Sequence, residues 1–144
     1  GYYQREHPDI RAYSPQIAWQ VTDGCRTLLP TMQSDIVLSN KKAEKTLIID
    51  AKFYTHNMQM KAPYMTQTLH SGNLYQIFTY VKNWDAAPGE TVAGMLLYAK
   101  TDDAVQPDGD YQMSGNQISV KTLDMNCEFA VIAGQLDTIA ERVR

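Results

Sequence analysis

The chain has 144 residues, 44% of them apolar and 20% charged, with a formal net charge of −3. This length suits one ordinary domain with a core of its own, and no apolar run approaches the roughly 20 residues of a membrane span. No secretory signal is visible, Cys25 and Cys127 lack the spacing of a disulfide scaffold or a zinc site, and the acidic balance argues against tight nonspecific binding to nucleic acid, so the default compartment is the cytoplasm.

The chain opens with GYYQREHP, helix-compatible residues running into Pro8 without a start signal, which predicts the tail of a helix in a fragment that begins inside it. In SPQIAWQVTDG, Ile17, Trp19 and Val21 alternate with polar neighbours before an Asp-Gly turn signal, so a strand opening a hairpin is expected. In the next run Met32, Ser34, Ile36 and Leu38 would share one side of a strand and Gln33, Asp35 and Val37 the other. A charged turn, KKAEK, follows, and Leu47 to Phe53 is a strand with the continuous apolar start of a sheet centre.

Residues 55 to 69 read as a long connection containing Pro63, Tyr64 and three methionines, Met58, Met60 and Met65, a length that is often functional or mobile. Ser71 then offers an N-cap for an amphipathic helix in which Leu74, Ile77, Phe78 and Val81 recur up to Trp84. TVAGMLLYAKT reads as a buried strand and YQMSGNQISVKTLDM as a hairpin around Gly115-Asn116. From Asn126 a closing helix carries Phe129, Ile132, Ala133, Leu136, Ile139 and Val143 on one stripe. The order of strands and helices predicts an α/β fold with a central mixed sheet flanked by helices. His7, His56 and His70 show no ligand spacing and read as surface or loop residues.

The chemistry concentrates in SDIVL and LIIDAKFY. Strand alternation puts Asp50 and Lys52 on one face, and the short charged turn makes the two runs an antiparallel hairpin that can set Asp35 beside Asp50. Two adjacent carboxylates in a sheet would repel and each would carry a desolvation cost of several kcal/mol. A hard divalent cation offsets this, held by Asp35 and Asp50 with the Ala51 carbonyl as a further oxygen ligand. The lysine beside it can orient an attacking water, help it lose a proton or stabilise negative charge on phosphorus, which is the equipment of metal-dependent phosphodiester hydrolysis.

Asp35 followed by Asp50-Ala51-Lys52 resembles the signature of the PD-(D/E)XK nuclease superfamily, with Ser34 where that family's first element commonly has proline. On the helix, Gln76 and Tyr80 fall one turn apart on the flank away from the apolar stripe, at about 100° per residue. They match the QxxxY pair that many of these nucleases turn toward the site. Together LPTMQSDIVL, LIIDAKFY and NLYQIFTYVKNW look most like the nuclease domain of McrC, the cleavage subunit of McrBC-type modification-dependent restriction systems, over roughly residues 2 to 100.

The resemblance implies a restriction-endonuclease-like core spanning 1–144 as one nuclease domain, without the start of its first helix or any N-terminal partner-binding domain. It implies a Mg2+-dependent DNA endonuclease (Mn2+ as substitute) whose catalytic set is Asp35, Asp50, Lys52, Gln76 and Tyr80. It also implies a partner, a McrB-like AAA+ GTPase that binds the nucleotide itself, and no membrane. Lys41, Lys42, Lys45 and Lys61 are the nearest positive charges expected to touch DNA. Two other readings compete: an assembly module that docks on the motor without cleaving, and a repair or recombination nuclease of the same superfamily.

Overall fold

In the computed structural model, residues 1–24, 26–54, 58–61 and 66–144 are described; the side chains of 58–61 and 66–68 lie outside that description, as do Cys25, His56, Tyr64 and Met65. The main sheet has six strands, β1 (Arg11–Tyr13), β4 (Ile36–Asn40), β5 (Lys45–Lys52), β8 (Thr91–Ala99), β9 (Gly109–Met113) and β10 (Asn116–Leu123), in the order β1-β4-β5-β8-β10-β9. The β4–β5 and β9–β10 pairs are antiparallel, and β5–β8 and β8–β10 are parallel, so the sheet is mixed as expected. Two small ribbons accompany it, β2 (Gln16–Ile17) with β3 (Met32–Gln33) and β6 (Met58–Lys61) with β7 (Thr66–Leu69).

Helix α2 (Ser71–Asn83) covers one face, packing Ile77, Tyr80 and Val81 on Ile48, Leu96, Tyr98, Ile118 and Val120. Helix α1 (Tyr2–Glu6) and helix α3 (Phe129–Ala140), the latter extended by a 3-10 turn to Val143, cover the other, where Tyr3, Ile139 and Val143 meet Leu38, Leu47, Ile49, Met95 and Leu97. The alternation of Leu47, Ile48 and Ile49 between two buried faces explains why the start of β5 is continuously apolar. Because β5 and β8 are parallel, α2 lies on the crossover between them, and its first turn stands at the carboxyl ends of both strands.

Gly94 sets how deeply α2 sits. A Cβ at that position would fall 2.7 Å from Val81 Cγ2 and 2.8 Å from Ile77 Cγ1. Only a residue without a side chain lets the helix approach β8 so closely.

The structure departs from the sequence reading in several places. The run expected as one strand over 32–38 is broken at Ser34 and Asp35, which puts Met32 on the α2 face with Val37, whereas unbroken alternation would have paired it with Leu38. The expected strand through Val21 is only Gln16–Ile17, and an unforeseen β1 precedes it; Pro15, without an amide hydrogen, separates the two. Residues 58–61 and 66–69 pair as a ribbon within what reads as a loop. The N-cap of α2 is His70 and not Ser71. Helix α3 starts at Phe129, which is 64% exposed and so falls off the buried stripe. His7, read as a surface residue, is buried, with Nε2 2.7 Å from Asp137 Oδ1 and Nδ1 2.7 Å from Arg144 Nη2.

Candidate active site

Ile48, Asp50 and Lys52 alternate on the α2 face of β5, and the parallel register sets Asp50 opposite Leu96 and Lys52 opposite Tyr98. Asp50 is 4% exposed. Lys52 Nζ lies 2.8 Å from Asp50 Oδ2 as an ion pair, yet among the described residues that buried oxygen has no hydrogen-bond donor of suitable geometry. Burial raises the Asp50 carboxyl above the usual carboxylate range; the neighbouring Asp35 adds to the rise, and Lys52 opposes it without cancelling it. For Lys52 burial acts downward, but contact with Asp50, reinforced by Tyr54 and Asp35, leaves the ammonium raised.

Asp35 occupies the bend before β4. The β4–β5 ladder ends with Ile36 opposite Ile49, so the Ala51 amide lies past the last strand partner on that side. Asp35 Oδ2 takes its place, accepting the Ala51 N–H at 2.7 Å. A regular strand residue could not do this, because its side chain would stand perpendicular to the ladder. The break at Ser34–Asp35 therefore turns the carboxylate back toward Asp50.

Helix α2 supplies the third side. Lys52 Nζ donates to Gln76 Oε1 at 2.6 Å, and Gln76 Nε2 donates to the Tyr80 hydroxyl at 2.9 Å. Tyr80 in turn donates to the Gln33 carbonyl at 3.4 Å. Tyr80 is 6% exposed, so the Gln-Tyr pair borders the buried stripe and is not on the outward flank that helix angles alone suggested.

Asp35, Asp50, Ala51, Lys52, Gln76 and Tyr80 are thus brought together at the carboxyl end of β5, where open α/β sheets place their ligand sites. Lys41, Lys42 and Lys45 are not. They stand at the opposite end of the β4–β5 hairpin, so that five steps along the strand, roughly 17 Å, lie between Lys45 and Asp50. Lys41 and Lys45 instead line a cavity of about 750 Å3 with Arg11, Trp84, Asp9, Glu44 and Glu90, and neither Asp35 nor Asp50 is among its lining residues. The Lys61 side chain is outside the described residues.

Three neighbours of the site escaped the sequence reading. Asn73, 8% exposed, donates from Nδ2 to the Tyr98 hydroxyl at 3.0 Å and accepts from the Tyr54 hydroxyl at 3.4 Å. Its spacing of three from Gln76 and seven from Tyr80 puts it on the same helix edge, a signal present in the sequence. Tyr98 becomes visible only once β8 is known to lie beside β5 in this register.

A family model described as McrBC 5-methylcytosine restriction system component matches residues 12–99, well over half of the chain. The chain belongs to the McrBC restriction-system family. It is 32% identical over 126 residues to the Type IV methyl-directed restriction enzyme EcoKMcrBC of Escherichia coli (strain K12), covering 88% of this chain and 34% of that protein. Its fold matches, with a TM-score of 0.57 and 15% identity, a solved half-complex of Thermococcus gammatolerans McrB AAA+ hexamers with bound McrC, covering 96% of this chain and 30% of that one. The chain spans about a third of the length of each. The span matched by the McrBC family contains the whole cluster from Asp35 to Tyr98. Among the described residues of this McrBC-family chain, no helix is long and apolar enough to cross a membrane.

Proposed function

We propose that this chain is the nuclease domain of a McrC-type subunit, a PD-(D/E)XK enzyme that hydrolyses phosphodiester bonds in DNA. The observation that carries this reading is the buried Asp50–Lys52 pair with the Asp35 carboxylate beside it and Gln76 on the ammonium. A structural ion pair would gain nothing from a second carboxylate set against the first, and replacing such a pair with apolar residues is often neutral or stabilising.

The same geometry fits a hard divalent cation. The donor set is all oxygen, and the buried Asp50 Oδ2 has the Lys52 ammonium at 2.8 Å as an ion pair but no hydrogen bond of suitable geometry among the described residues. Asp35 and Asp50, with the Ala51 carbonyl, would hold Mg2+ or Mn2+. A cation there supplies charge neutralisation for the two carboxylates and Lewis-acid polarisation of a phosphoryl oxygen. Lys52 carries the remaining work of the chain itself. Its ammonium, held raised and charged, lies where negative charge on phosphorus can be stabilised, and Gln76 fixes its direction. Tyr80 orients the Gln76 amide, because its hydroxyl accepts from Nε2.

The partner follows from the family and from the solved complex of McrB AAA+ hexamers with McrC. We assign this chain a McrB-like AAA+ motor that binds the nucleotide and delivers modified DNA, a division of labour in keeping with a net charge of −3. The deciding experiment reconstitutes the full-length subunit with its motor, nucleotide, Mg2+ and methylated DNA. Wild type is expected to cleave, and Asp50→Ala and Lys52→Ala to lose cleavage while still binding the motor. Undiminished cleavage by either variant would overturn the assignment. A wild-type complex that assembles but never cleaves would make the chain an assembly module.

A further inference from the structure

We propose that Asn73 is a positioning residue of the cleavage site, acting by fixing the rotation of α2 so that Gln76 meets Lys52; this rests on the nuclease reading above. An asparagine at a helix position 8% exposed is costly unless its amide is satisfied, and an apolar residue there would extend the stripe that packs on the sheet. Asn73 is satisfied from two directions. Nδ2 donates to the Tyr98 hydroxyl on β8 at 3.0 Å, and Oδ1 accepts from the Tyr54 hydroxyl just past β5 at 3.4 Å.

Asn73, Gln76 and Tyr80 form one polar edge along α2, and each meets a different part of the sheet. Asn73 holds Tyr98, Gln76 holds Lys52, and Tyr80 reaches the Gln33 carbonyl on β3. The apolar stripe of Ile77 and Val81 against Gly94 sets the depth of the helix. Ile77 and Val81 lie beyond the first turn, and the burial that seats them is non-directional, so the first turn keeps some rotational freedom. Directional hydrogen bonds remove that freedom, and the first turn needs them most: its N-cap His70 makes no side-chain cap hydrogen bond.

Tyr98 is the natural anchor. It is fully buried, stands opposite Lys52 in the β5–β8 register, and its ring lies 6.3 Å from that of Tyr54. A shift of the first turn that broke the Asn73–Tyr98 bond would carry Gln76, three residues on, away from the ammonium.

The test uses the reconstituted complex with methylated DNA, reading kcat and KM separately below the melting temperature of every variant. Asn73→Ala and Tyr98→Phe are each expected to lower kcat by about 10–100-fold, the usual scale for a residue that orients a site group, with KM for DNA unchanged. In a Gln76→Ala background Asn73→Ala is expected to cost nothing further, because the contact it protects is already gone. Folded variants with kcat within twofold of wild type would overturn the proposal. So would an equal loss from Asn73→Ala in the wild-type and Gln76→Ala backgrounds, which marks an effect on general stability. If Asn73→Ala does not fold, Tyr98→Phe, which keeps the ring, decides alone. Undiminished cleavage in Lys52→Ala would fail the nuclease reading itself; an inactive Lys52→Ala beside a fully active Asn73→Ala would fail only this inference.

Discussion

Lys52 donates to Gln76 Oε1 at 2.6 Å, and this one bond joins the charged end of β5 to the helix that covers it. An ammonium has three donors and no acceptor, so the amide must present its oxygen to Lys52 and its nitrogen to Tyr80, as observed. Gln76→Ala is expected to lower the cleavage rate by about 10–100-fold. Tyr80→Phe should cost less, since it removes only the group that orients the amide. Single-turnover cleavage by the reconstituted complex measures both; a larger loss for Tyr80→Phe than for Gln76→Ala would reverse the assigned order.

Asp35 has two tasks that substitution can separate. Its Oδ2 accepts the Ala51 N–H at 2.7 Å, and its charge lies against Asp50. Asp35→Asn keeps an acceptor for the amide and loses the charge, whereas Asp35→Ala loses both. Cleavage should fail in both variants. Chemical denaturation should show Asp35→Ala less stable than Asp35→Asn by about 1 kcal/mol, the net worth of one satisfied hydrogen bond. Equal stabilities would mean that the Ala51 amide finds another partner.

Cation binding should appear in the melting curve without any turnover. A ligand that binds only the folded state at 100 times its Kd stabilises by about 2.7 kcal/mol, and a chain of this size shifts by roughly 2–4 °C per kcal/mol. Mn2+ is expected to raise the Tm of wild type and not of Asp50→Asn. Protons compete for the raised Asp50 carboxyl, so the shift should shrink as pH falls. An equal shift in both proteins would place the cation elsewhere.

The parts of this site that were legible in the sequence are those governed by local geometry. Strand alternation fixes Asp50 and Lys52 on one face from the sequence alone, and the 3.6-residue period pairs Gln76 with Tyr80. The mixed sheet was legible too, from the order of apolar runs and turn signals. Asp35 owes only half of its place to the hairpin. It reaches Asp50 through a break that no propensity rule marks, where Ser34 and Asp35 leave the strand and one carboxylate substitutes for a ladder partner. Tyr98 and the burial of Tyr80 depend on strand order and helix rotation, both set by non-local packing. The lysines of the β4–β5 turn read as the charges nearest the site because closeness in sequence to Asp50 hides the length of the strand between, and their expected contact with DNA is a separate matter from that distance.

Gly94 makes a prediction that links packing to the site. A methyl group there would meet Val81 and Ile77 at under 3 Å, and those side chains are held by the core around them. Gly94→Ala is therefore expected to destabilise by about 1–3 kcal/mol, the range for overpacking, and to lift α2 off β8. Because α2 carries Gln76, the cleavage rate should fall as well, at temperatures where the variant remains folded. Denaturant midpoints and cleavage rates measured together test this; a stability loss with unchanged cleavage would show that the helix rises without tilting the edge that bears Gln76.

Asp110 offers a pH test far from the carboxylate pair. A hydrogen bond from Ser119, with further contacts from Lys121 and Arg142, holds its carboxyl well below the ordinary value of 3.8. A depressed folded pKa gives stability that is fully present above the unfolded value and is lost as pH falls through the folded one. Wild type should therefore lose stability as pH drops below about 4, in a window where Asp110→Asn stays flatter. At neutral pH the variant should be the less stable, by a modest amount, because the Asp110 side chain is 41% exposed and its ion pairs are screened. Urea midpoints across this range, taken at low and high salt, check both the sign and the screening; parallel curves for the two proteins would show that Ser119, Lys121 and Arg142 hold the strand edge without the charge.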